Sequence, residues 1–154
     1  MRNVLIPTDI TLHSLELVSF AARAIPDRIN VVLFHAFDMP DSLLEAMIRS
    51  HNGGFNSLIT EEIRVKCKRL KAAHSNISNI SFKYMYGTTR AAFRNYAEAN
   101  KIDMIVLPDG YSFVPAVRDS VNMITIMQQS GIEILSDLTP HEHYVARKLA
   151  MKRS

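Results

Sequence analysis

Short apolar runs alternate with longer stretches in which apolar residues recur at helical spacing. Val4-Leu5-Ile6 forms a run closed by Pro7-Thr8-Asp9, the pattern of a strand buried on both faces, here read over Asn3–Pro7. From His13 the period changes, and Leu15, Val18, Ala22 and Ile25 fall on one helical face before Pro26-Asp27 stops it. Ile29–Phe37 is rich in β-branched and aromatic residues and predicts a second strand. Pro40-Asp41-Ser42 opens a further helical stretch that Asn52-Gly53-Gly54 breaks. A longer helix is expected from about Ser57 to Ala73, with Ile59, Ile63, Cys67 and Leu70 on one stripe and basic residues opposite.

The second half repeats the alternation. Asn76–Asn79 reads as a polar connection and Ile80–Tyr86 as a strand of alternating pattern. Gly87-Thr88-Thr89 turns the chain and caps a helix over Arg90–Asn100. Asp103–Leu107 predicts a fourth strand, followed at once by Pro108-Asp109-Gly110. Pro115 suits the first turn of a helix whose apolar face is Val117, Val121, Ile124 and Met127. Gly131 ends it, and Ile132–Leu135 is a fifth strand. After Pro140 the chain is polar and basic, a short helix or a frayed tail. The organisation is one domain over residues 1–138 and a basic carboxyl-terminal tail over 139–154. Strands alternating with helices imply a three-layer, doubly wound α/β domain: a five-stranded, mostly parallel sheet with helices on both faces. Ligands of such sheets sit beyond the carboxyl ends of the strands, which draws attention to Pro7-Thr8-Asp9, His35-Ala36 and Pro108-Asp109-Gly110.

Composition narrows the picture. At 154 residues the chain has the size of one domain, and 47% apolar with 21% charged residues sets it apart from disordered chains. The net charge of +3 is a mild excess. The run Arg64, Lys66, Lys68, Arg69 and Lys71 reads as a solvated helix face, so a nucleic-acid partner is not expected. Cys67, the single cysteine, cannot form an intramolecular disulfide or anchor a zinc pattern. His141-Glu142-His143 is too compact for a closed metal site. No leader pattern and no apolar stretch of membrane-spanning length is visible, so a cytoplasmic location without membrane contact is expected.

The catalytic patterns do not occur: there is no Gly-x-x-x-x-Gly-Lys-Ser/Thr loop, no Gly-x-Gly-x-x-Gly and no Gly-x-Ser-x-Gly. Asp9 and Asp109 each follow a strand and suit turn capping; with no nucleophile or metal cluster beside them, binding is expected rather than catalysis, and no metal.

Three segments resemble the universal stress protein family, over about residues 2 to 136. Asn3-Val4-Leu5-Ile6-Pro7-Thr8-Asp9 looks like that family's first strand and Pro-x-Asp turn. Leu33-Phe34-His35-Ala36 is similar to its second strand. Gly87 followed by a helix and Asp103-Met104-Ile105-Val106-Leu107 looks like its Gly…Asp-x-Ile-Val-Met block. The resemblance implies a universal stress protein-like, adenine nucleotide alpha hydrolase-like fold, a homodimer formed through the last strand, and a role in stress response through ligand binding or protein association. It also implies a nucleotide site at Pro7, Thr8, Asp9, Ala36, Gly87, Pro108, Gly110, Ser120 and Val121, with Asp9 at the position that contacts adenosine.

The phosphate segment departs from the family's Gly-x2-Gly-x9-Gly-Ser/Thr pattern. Pro108 stands at the first glycine, Tyr111 at the second unless a shorter loop brings Gly110 there, and Asp119 precedes Ser120-Val121. Proline removes an amide donor. A carboxylate about 4 Å from a phosphate repels it by roughly 4 kcal/mol near a protein surface, half of the about 8 kcal/mol of a micromolar complex. The expectation is a degenerate site that binds ATP weakly or not at all and needs no cofactor. The alternative is an ATP- or AMP-binding protein, or a slow ATP hydrolase, with a rearranged loop.

Overall fold

A computed structural model of the chain describes residues 1–38, 58–108, 111, 115 and 120–136. The helical stretch opened by Pro40, the Asn52-Gly53-Gly54 break, Asp109, Gly110, Val117, Asp119 and the tail 139–154 with its His141-Glu142-His143 fragment lie outside the described residues.

The elements run β1 (Arg2–Pro7), a 3-10 turn (His13–Leu15), α1 (Glu16–Ala24), β2 (Ile29–Phe37), α2 (Glu61–Ala73), β3 (Ile77–Tyr86), α3 (Arg90–Ala99), β4 (Met104–Val106), α4 (Ile124–Gln128) and β5 (Glu133–Leu135). The strands form one sheet in the order β3-β2-β1-β4-β5, and every described pair is parallel. β1 and β2 match residue for residue from Arg2 opposite Ile29 to Pro7 opposite Phe34.

The continuous apolar runs serve a sheet covered on both faces. Val4, Ile6, Val31, Leu33, Met104 and Val106 point into one core cluster with α1 and with Ile63 of α2, while Leu5, Phe34, Ala36 and Ile105 point into a second with Phe93 of α3 and Met127 of α4. Each fully buried Leu, Ile, Val or Phe contributes about 1.5–3 kcal/mol, so the alternation locks the register: a one-residue slip would exchange the two faces. At the amino-terminal edge Arg2 joins three strands' ends, its guanidinium donating to Asp27 at 3.0 Å and Glu133 at 3.1 Å.

Three boundaries differ from the sequence expectation. α2 begins at Glu61 rather than near Ser57, because the Thr60 hydroxyl accepts the Ile63 amide at 3.3 Å as N-cap and two glutamates fill the first turn. β3 begins at Ile77, not Ile80. Ile29 opposes Ile77 while Asn30 opposes Asn79, so Ser78 is the extra residue of a bulge, its hydroxyl donating to the Ile29 carbonyl at 2.9 Å. Asn76, expected in a loose connection, donates its side-chain amide to the Ala22 and Ile25 carbonyls and so closes the end of α1.

The third difference is functional in its consequences. Of the helix expected from Pro115, the described residues 120–123 are not helical and a helix runs from Ile124 to Gln128. Ser120 forms an antiparallel bridge with Phe37, and the Val121 amide donates to the Ala36 carbonyl at 2.9 Å. The Asn122 carboxamide oxygen accepts the Ile124 amide at 3.0 Å and starts the helix there. Val121 still packs on the second core cluster, but from an extended segment. Gly131, at φ +81°, ends the helix region as expected. No helix among the described residues is long and apolar enough to cross a membrane.

Candidate functional site at the strand ends

The strand order turns back on itself between β1 and β4, so the crevice expected of a doubly wound sheet lies beyond the carboxyl ends of β1, β2 and β4. The loop after β1 is held from within. The Thr8 amide donates to the Phe34 carbonyl at 2.9 Å. Its hydroxyl lies 2.8 Å from that of Ser14 and accepts the Ile10 amide at 3.0 Å. Ile10 takes φ +61°, a conformation that costs a β-branched residue about 1–3 kcal/mol and that this network over-determines. The Asp9 carboxylate accepts the Thr11 hydroxyl.

His35 sits at the centre and is 2% exposed. Its Nδ1 is 2.6 Å from the Thr8 carbonyl oxygen. A carbonyl only accepts, so Nδ1 carries the proton and Nε2 accepts the Ser120 hydroxyl at 2.7 Å. Burial pushes the imidazole below its ordinary value, partly opposed by the bond to Thr8 and by the charge of Asp9. A neutral ring thus joins the ends of β1 and β2 to the segment before α4. Tyr111, half-buried, donates its amide to the Pro108 carbonyl at 3.0 Å. Its phenol is pushed up to about 12, first by burial and then by Asp9.

Of the nine residues expected at the site, Pro7, Thr8, Ala36 and Val121 line one cavity together with Phe34, His35, Tyr111 and Met123. Asp9 and Ser120 adjoin it through Thr8 and His35. Pro108 carries the turn to Tyr111. Gly87 stands elsewhere: its amide donates to the Phe37 carbonyl at the end of β2, and φ +124° turns the chain from β3 into α3. Gly110 lies outside the described residues. The cavity measures about 20 Å³, room for about one water, where small-molecule pockets usually take ~300–1,000 Å³. His35 stood out in the sequence as the polar residue at the end of the second strand, but nothing there signalled that it would bond both Thr8 and Ser120. Among the described residues no three His, Cys, Asp or Glu side chains are grouped to hold a metal.

Solved structures share this architecture. UspA, a universal stress protein from Lactobacillus plantarum, aligns with a TM-score of 0.56 at 15% identity, over 88% of this chain and 96% of its own. A hypothetical protein aligns at 0.54 and 17% identity, over 88% and 94%. A universal stress protein family member from Arabidopsis thaliana, solved with AMP bound, aligns at 0.51 and 9% identity, over 89% and 91%. No family model and no curated protein matches the sequence. The fold is that of the universal stress proteins, as the resemblance implied, with the five-stranded sheet parallel throughout its described pairs.

Proposed function

We propose that this chain is a universal stress-type protein that works in the cytoplasm by ligand binding or protein association, without catalysis, and whose nucleotide crevice binds ATP weakly or not at all. The observation that carries this reading is the small space left between the described residues at the strand ends. Tyr111, Val121 and Met123 leave about 20 Å³ at the strand ends, and the Ser120 hydroxyl donates to His35. Pro108 offers no amide to a phosphate. Calorimetric titration with ATP and magnesium tests it. The expected result is no saturation at micromolar nucleotide; a low-micromolar dissociation constant overturns it.

A second reading, a nucleotide binder with a rearranged loop, draws on the AMP-bound Arabidopsis structure of the same fold. Adenine nucleotide that co-purifies with the chain would decide for it. We further propose a homodimer through β5, a three-residue strand hydrogen-bonded on one side to β4, since an open strand edge favours pairing. Light scattering at high micromolar concentration checks this, and a monomer there removes it.

A further inference from the structure

A second concavity lies away from the strand-end crevice, between α3 and the segment running from α4 to β5. It measures about 430 Å³, within the range that small-molecule sites occupy, ~300–1,000 Å³. Its floor is apolar, formed by Phe93, Ala97, Ile102, Ile126 and Ile132. Phe93 is only 1% exposed and belongs to the core, which makes the floor stiff. Arg90, Arg94 and Lys101, all exposed, also line it.

The three cations form no ion pair among the described residues, although Glu98 and Asp103 line the same groove. Among the described residues the ion pairs are Arg2 with Asp27 and Glu133, and His13 with Glu16. Arg90 and Arg94 are one helical turn apart and repel each other. Arg90 also opens a helix with no acidic residue in its first turn, where the dipole favours anions. Two carboxylates share the groove. Asp103 accepts the Asn3 amide at 2.8 Å, and Glu98 forms no ion pair with either neighbour.

Lys101 supplies an independent observation. α3 closes with the Ile102 amide donating to the Ala97 carbonyl at 2.9 Å and the Lys101 amide to Glu98 at 3.1 Å. This is the paired closure in which glycine ordinarily takes the left-handed residue. Here Lys101 takes it, at φ +52°. A lysine where glycine is more stable places a cation beside the groove at a cost to the fold.

We infer that this groove binds a small organic anion with an apolar body, a monocarboxylate whose hydrocarbon part lies on Ile102, Ile126 and Ile132 and whose carboxylate is drawn by the Arg90, Arg94 and Lys101 cations. The two guanidinium groups match a carboxylate's paired oxygens, and the size suits a small molecule rather than a protein surface.

Octanoate is the probe, titrated into the full chain by calorimetry and followed by methyl NMR of the isoleucines, with octylammonium as the charge-reversed control. Octanoate should bind at millimolar concentration or below and shift the methyl signals of Ile126 and Ile132, while octylammonium should not. Lys101→Gly should raise the denaturation midpoint yet weaken octanoate severalfold, a combination no folding defect produces. Arg90→Gln with Arg94→Gln should weaken it about tenfold, the scale of one charged hydrogen bond, with unchanged circular dichroism. The proposal is overturned if octanoate fails to bind at millimolar concentration, if octylammonium binds as well, or if both variants bind octanoate like the parent chain.

Discussion

The strand-end crevice and the groove beside α3 spend their polar groups in opposite ways. In the crevice Thr8, Ser14, His35 and Ser120 answer one another, and the space left is about 20 Å³. In the groove three cations face about 430 Å³ without an ion pair among the described residues. The comparison teaches that position in a fold does not by itself make a site. The crevice holds the place where doubly wound sheets bind ligands, but the side chains of Thr8, Ser14, His35 and Ser120 already bond one another or the backbone there. A ligand there must replace internal bonds; a ligand in the groove need only displace water.

The largest expected effect tests whether the groove floor is also core. Phe93→Ala should cost about 3–5 kcal/mol in denaturant unfolding, because Phe93 lies edge-on to Phe34 at 5.9 Å across the second cluster. A cost under about 1 kcal/mol would mean a soft floor and weaken the contrast.

Next is His35. Replacing it by leucine strands the Thr8 carbonyl and the Ser120 hydroxyl and should cost about 2–3 kcal/mol. The same residue predicts a pH dependence. Its folded value lies below the ordinary 6.5, so the unfolded chain takes up the proton first. The stability attached to the neutral ring is therefore complete above about pH 6.5 and falls as the pH drops from there toward the lowered folded value, levelling off below it. Unfolding of the parent chain and of His35→Leu across pH 5–8 should show that component in the parent alone; parallel curves would break the assignment of a neutral imidazole.

Smaller effects sharpen the two regions. Tyr111→Ala should enlarge the crevice and allow AMP to bind at high micromolar to millimolar concentration, detected by saturation-transfer NMR; no binding would place the barrier in the internal hydrogen bonds rather than in the ring. Thr89→Ala removes the N-cap of α3, whose hydroxyl accepts the Ala92 amide at 3.0 Å, and should cost about 1 kcal/mol. The smallest effect carries the opposite sign. The Tyr96 hydroxyl is buried with no hydrogen-bond partner among the described residues, and burial raises its pKa. Tyr96→Phe should therefore be neutral or stabilising by up to about 1 kcal/mol, read from the denaturation midpoint.

Much of this was legible in the residues alone. The five strands, the helix stopped before Pro26 and the one ending at Ala73, the Thr89 cap and the Gly131 stop follow from hydrophobic period, caps and turn chemistry, all short-range properties that a linear sequence displays. The stretch from Pro115 misled because its apolar spacing matches a helix, while its amides at Val121 and its hydroxyl at Ser120 find partners at the end of β2, more than eighty positions earlier. Separation along the chain likewise hid the role of His35 and the extra residue at Ser78, whose partner Ile29 lies 49 positions earlier.

Local pattern by itself determined the alternation of strands and helices, and with it a parallel sheet buried on both faces, because each residue's period reports which side meets the core. Only the tertiary structure decided which polar groups were consumed and which were left open. Hydrogen bonds and ion pairs depend on which chain segments meet in space, so the small crevice around His35 and the groove with Arg90, Arg94 and Lys101 became distinguishable only when the sheet brought β1, β2 and β4 side by side.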